Sequence, residues 1–72
     1  MITIKCNNST QKAVRFFNNM NCILVFAIES GEYWFTIGEY KTIAGAKKAA
    51  IKKMAKHGYT FNLEEMNKLK IK

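Results

Sequence analysis

Two neighbouring segments of opposite periodicity leave this chain few folds to choose from. Cys22 to Glu29 is a run rich in β-branched and aromatic residues, and Tyr33 to Tyr40 is a second. Between them Glu29-Ser30-Gly31-Glu32 supplies a tight hairpin turn, with Gly31 at the position that needs a permissive backbone. Immediately after comes a segment of period 3.6. Placed on a helix at 100° per residue, Ile43, Ala46, Ala50 and Met54 share one face. Lys48, Lys52 and Lys56 fall on one line opposite, with Lys53 beside it. A hairpin followed by an amphipathic helix calls for an antiparallel sheet with that helix packed across it.

The rest of the chain adds one or two strands. Ile2, Ile4 and Cys6 alternate with Thr3 and Lys5, the period of a half-buried strand. Residues 10–19 fit two templates. Val14 and Phe16 around Arg15 suit a strand, whereas Ala13, Phe16, Phe17 and Met20 suit a helix capped by Ser9. Asn18-Asn19-Met20-Asn21 reads as a turn because Asn tolerates left-handed backbone. Gly38 inside the second long strand marks a bulge or a close approach. Thr42 is placed to cap the helix, Gly58 to end it near Lys56, and Gly45 to let it pack closely on the sheet. Tyr59-Thr60-Phe61 has the composition of a short strand. Asn62-Leu63-Glu64-Glu65 resembles a capping box that opens a last short helix. Alternation puts Tyr33, Phe35 and Ile37 on one strand face and Trp34 and Thr36 on the other. The expected fold is therefore α+β: one small domain over residues 1–72, an antiparallel sheet of three to four strands with one principal basic amphipathic helix on one face.

Charge narrows function. Net charge is +7, and of twelve basic residues only Arg15 is an arginine. Lysine is a hydrated point charge, while arginine carries the planar fork that reads guanine edges. The balance favours phosphate contact over base reading, although an AT-rich coding sequence also enriches Lys and Asn. Between Lys41 and Asn62 six lysines stand without one acid. A solvated helix ordinarily interleaves Glu at i, i+4, and like charges at that spacing cost a few tenths of a kcal/mol each. A solvated face is the default for a charge run; here the pattern suits a phosphate backbone or an acidic protein surface.

Catalytic parts are lacking. There is one histidine, His57, beside a helix-ending glycine, and no Asp; the acids are Glu29, Glu32, Glu39, Glu64 and Glu65. Cys6 and Cys22 have no metal-ligand spacing, and the four glycines make no phosphate loop. The expectation is a non-enzyme without cofactor or metal. The first residues carry neither a charged n-region nor a long apolar run, so the expected compartment is the cytoplasm, with both thiols reduced. A Cys6–Cys22 disulfide is left open by sequence alone.

Ile37-Gly38-Glu39-Tyr40-Lys41-Thr42-Ile43-Ala44-Gly45-Ala46-Lys47-Lys48-Ala49 resembles one piece of the APETALA/ethylene-response-factor DNA-binding domain. In that family the third strand ends apolar-Gly, an aromatic and a Thr follow, and the helix places Ala at fixed offsets. Ile37-Gly38, Tyr40, Thr42, Ala46 and Ala49 occupy those places. Val14-Arg15 and Ala27-Ile28-Glu29 fall where its first two strands would be. Integrase arm-binding domains and some phage endonuclease tails share the three strands and one helix. The resemblance spans about residues 12 to 57 and implies a sheet that reads DNA with several Arg and Trp. Here only Arg15 and Trp34 are offered, with Glu29, Glu32 and Glu39 nearby. Ala46-Lys47-Lys48-Ala49-Ala50 is also similar to the phosphate-holding helix of double-stranded-RNA-binding domains.

The resulting expectation is a small nucleic-acid-binding protein, DNA before RNA. Lys47, Lys48, Lys52, Lys53 and Lys56 would contact phosphates, and Arg15 and Trp34 would contribute from the sheet. The alternative is a phage or mobile-element inhibitor of the anti-CRISPR kind, which would block a host protein or nucleoprotein complex through the Glu29/Glu32/Glu39 edge or the lysine face. Either is compatible with a homodimer.

Overall fold

The computed structural model describes residues 1–69. Four strands, β1 (Ile2–Lys5), β2 (Lys12–Asn19), β3 (Cys22–Glu29) and β4 (Glu32–Tyr40), form one antiparallel meander in the order β1-β2-β3-β4. Helix α1 (Ile43–Ala55) follows, then the short α2 (Leu63–Asn67). The α+β expectation holds. Residues 12–19 are strand, because Val14 and Phe16 pair with Ala27 and Val25 and so reach the centre of the sheet. Tyr59-Thr60-Phe61 is irregular rather than a strand: Asn7 N–H donates to the Thr60 carbonyl at 2.9 Å, but no ladder extends from that bond.

Pairing of β2 with β3 is regular from Lys12↔Glu29 to Asn19↔Cys22, so side-chain alternation is preserved along both. Ile2, Ile4, Val14, Phe16, Ile23, Val25 and Ala27 point to one side, where Ala46, Ala50 and Met54 of α1 meet them. Phe61, Met66 and Leu69 complete that core beside the helix. Ala46 and Ala50 have no exposed surface, and these small side chains let α1 lie close on the sheet. Gly45 does a different job from the one expected. A Cβ there would press on the Thr42 hydroxyl at 3.2 Å, and that hydroxyl accepts the Gly45 N–H at 3.1 Å. Gly45 thus leaves room for the N-cap.

The helix ends as its sequence requires. Gly58 is left-handed (φ 86°), Tyr59 N–H reaches the Met54 carbonyl, and Gly58 N–H reaches the Ala55 carbonyl. That pair of bonds is a Schellman motif. Asn8 then clasps the turn: its side chain donates to the Gly58 carbonyl at 2.9 Å and accepts from Thr60 N–H at 3.1 Å. Asn62 caps α2 by accepting from Glu65 N–H, as the capping-box pattern implies.

The hairpin at Ser30-Gly31 has φ of 52° and 83°, the two positive values of a type I′ turn. At the other hairpin the left-handed residue is Met20 (φ 56°) and not an asparagine. The two-residue span between Asn19 and Cys22 places the positive φ there by geometry.

Strand β4 departs from alternation. Its register against β3 shifts between Val25 and Phe26, and again between Ala27 and Ile28. Ile37 and Trp34 are the extra residues, each a bulge. Trp34, Phe35, Ile37 and Tyr40 all pack against the core, while Tyr33 and Thr36 face away from it. Gly38 allows this: a Cβ there would meet the Tyr40 hydroxyl at 2.8 Å and its ring at 3.1 Å.

Candidate nucleic-acid interface

The lysine face of α1 follows from the packing of its other side. With Ala46, Ala50 and Met54 buried against the sheet, the positions about 180° away must face solvent. Lys48, Lys52 and Lys56 lie on that side, Lys53 lies at the margin of the buried stripe, and all four are exposed. Lys48, Lys52 and Lys56 are spaced by about 6 Å along the axis, one every four residues. Among the described residues the side-chain ion pairs are Lys12–Glu29 and Lys68–Glu64, so no lysine of this face has a carboxylate partner. Lys52 and Lys53 lie in the last turn of α1, where the macrodipole favours cations. Lys52, Lys53 and Lys56 also border a shallow groove of about 150 Å³ floored by Ile37, Tyr40 and Ala49. Lys47 stands apart: it is half-buried, and its Nζ donates to the Asn67 carbonyl at 3.4 Å, bracing α1 to α2.

The remaining sequence-predicted residues lie elsewhere. Arg15 is on the far side of the sheet from α1, and its Nε donates to Thr3 Oγ1 at 3.1 Å. Trp34 is not an outward-facing contact. The bulge turns it toward the core side, edge-on to Phe35 at 4.8 Å, His57 at 5.2 Å and Tyr59 at 6.0 Å. This corrects the alternation that set Trp34 opposite Phe35. His57 is exposed but its ring lies against both Trp34 and Phe35.

Neither period nor charge pattern singles out Lys12. It is the one buried charged side chain among the described residues. Its ammonium sits 4.6 Å from the Trp34 ring centre, within 5.8 Å of Tyr59, and pairs with Glu29. A cation so placed is held by ring quadrupoles as well as by the carboxylate. The signal existed: once the hairpin turns at residues 20–21, Lys12 must oppose Glu29.

The acids do not form one edge. Glu29 and Glu32 pair at one end of the β3–β4 hairpin, with Glu29 engaged by Lys12; Glu39 stands at the other end. Glu39 accepts from the Cys22 thiol at 3.7 Å. Desolvation and that carboxylate push the Cys22 thiol above its usual range, and burial pushes Cys6 up against the opposing pull of Lys12. Both cysteines are free, Cys6 buried and Cys22 half-buried.

The sheet side away from α1 carries no helix among the described residues. Tyr33 is 63% exposed and Phe17 41%, with Leu24 and Phe26 half-buried between them. Next to these, Lys5, Arg15, Thr3 and Thr10 border a depression of about 440 Å³. Among the described residues no group of three His, Cys or Glu side chains could hold a metal ion. No helix among them is long and apolar enough to cross a membrane. No protein family, curated protein or solved structure matches this chain.

Proposed function

We propose that this protein is a small non-enzymatic nucleic-acid-binding protein that neutralises phosphates with the outer face of α1. One observation carries the reading: Lys48, Lys52, Lys53 and Lys56 stand exposed, with no carboxylate partner among the described residues, on a helix whose Ala46–Ala50–Met54 stripe is locked to the sheet. Like charges at i, i+4 oppose helix formation, and a bound polyanion reverses the sign of that term. With a single arginine in the chain, affinity comes from charge rather than from base edges. Lys47 assists by bracing the helix.

The test is fluorescence anisotropy of labelled duplex DNA and duplex RNA at several salt concentrations. Four phosphate contacts predict a log–log salt slope of about −3.6 on duplex DNA. A flat salt dependence, or no binding at low salt, overturns the reading. The inhibitor alternative ranks second. Of the two surfaces it would use, the acidic edge is divided between the two ends of the β3–β4 hairpin with Glu29 already paired, which leaves it the lysine face.

A further inference from the structure

We infer that the open face of the sheet is a second nucleic-acid surface, one that takes single strands by stacking bases on Phe17, Phe26 and Tyr33 while Arg15 and Lys5 hold the phosphates. The inference rests on the nucleic-acid reading but uses none of the α1 lysines. Three observations support it together.

The rings are presented and held. Strand register puts Phe17 beside Leu24, Phe26 beside Thr36, and Tyr33 beside Ile28, all on the side that α1 leaves uncovered. Tyr33 lies edge-on to Phe26 with centroids 6.1 Å apart, and its hydroxyl hydrogen-bonds Thr36 Oγ1 at 2.8 Å. A ring fixed in this way while 63% exposed loses little side-chain entropy when a base covers it.

The charge is on the correct flank. Arg15 pairs directly with Phe26 across β2–β3, and Lys5 is on the neighbouring β1. Both border the 440 Å³ depression, together with the Thr3 and Thr10 side chains and Gly31. Thr3 accepts from Arg15 Nε, an anchor at one corner of the guanidinium that leaves its other N–H groups available to phosphate oxygens. Glu39 is on the opposite flank, beside Leu24. A strand would therefore run with phosphates over β1 and the Arg15 end of β2, and with bases along the line from Phe17 across Phe26 to Tyr33.

The shape selects against a duplex. Rings embedded in a four-stranded surface reach only unpaired bases, and base–aromatic stacking is indifferent to sequence. An apolar protein partner would have no use for the basic depression beside the rings.

The experiment compares an ordinary single-stranded DNA oligonucleotide with an abasic strand of the same length, by anisotropy at one salt concentration. Ordinary strand should bind at least fivefold tighter, the low end of what one base stack contributes. Tyr33→Ala and Phe17→Ala should narrow that gap, Tyr33→Phe should retain it, and Arg15→Ala should lower the salt slope by about 0.7. Equal binding of the two strands, or a gap that survives Tyr33→Ala and Phe17→Ala together, overturns the proposal. A change of oligomeric state in those two variants without any change in the gap also overturns it and gives the face to a second copy of the chain. If the abasic strand binds with a salt slope that Lys48→Glu with Lys52→Glu lowers by about two contacts, the helix reading stands even where equal binding of the two strands has overturned the sheet proposal.

Discussion

The two faces of this molecule carry charge in different ways. On α1 the cations repeat about once per turn along one helix, with a single ring, Tyr40, in the groove beside them and no carboxylate among the described residues to pair them. On the open sheet the cations are two, Lys5 and Arg15, and they flank a surface of rings whose positions are set by strand register. The first face offers charge density with only a shallow groove for shape. The second offers shape with just enough charge to orient a ligand. A helix displays a long polar face whenever its small residues point inward. A sheet face left uncovered shows every second residue of four strands, so its chemistry is assembled from distant parts of the chain.

The largest expected effect separates the two faces. Lys48→Glu with Lys52→Glu should weaken duplex binding roughly 100-fold at low salt and flatten the salt slope by about two contacts, with the circular dichroism spectrum unchanged. If duplex affinity holds, the phosphate surface is not on α1. Next is Gly38→Ala, whose Cβ would meet the Tyr40 hydroxyl at 2.8 Å. Displacing Tyr40 disturbs the floor of the lysine-bordered groove and should cost about 1–3 kcal/mol, read from denaturant melts. Lys12→Ala removes a cation from the Trp34 and Tyr59 rings and from Glu29, which is half-exposed. A loss of about 1–2 kcal/mol is expected, with an altered Trp34 emission spectrum, and a neutral result would show that the pair only breaks even.

Met20→Asn should go the other way. A left-handed methionine that is 91% exposed is strained without compensating contact, so Asn should raise stability by about 0.5–1 kcal/mol. The smallest effect is on pH dependence. The folded state holds the Cys6 proton more firmly than the unfolded chain does, because burial disfavours the thiolate. That contribution is complete below the unfolded value and is lost as pH rises through the folded one. Melts from pH 8 upward should therefore show a decline that Cys6→Ala makes shallower.

Much of this was legible in the linear chain. The helix limits, Thr42 and Asn62 as caps, Gly58 as terminator and the lysine line opposite Ala46, Ala50 and Met54 all rest on local rules of period and capping, which need no knowledge of the rest of the chain. The β3–β4 hairpin was legible for the same reason. Residues 12–19 were not, since Phe16 and Phe17 fit both periods until pairing with Val25 and Leu24 decided the matter.

Trp34 and Lys12 mark the boundary between the two kinds of information. Period-2 reading assumes an unbroken ladder, and two bulges in β4 bring Trp34 and Ile37 to the same side as Phe35, where α1 and Tyr59 pack. Lys12 became a buried cation because strand register set it against Glu29 and the chain after α1 brought Tyr59 over it. Composition and periodicity determined the elements, the amphipathic helix and the sign of its outer face. Tertiary pairing alone decided which side of the sheet stays open and which rings and cations share it, because those juxtapositions depend on residues far apart in the chain.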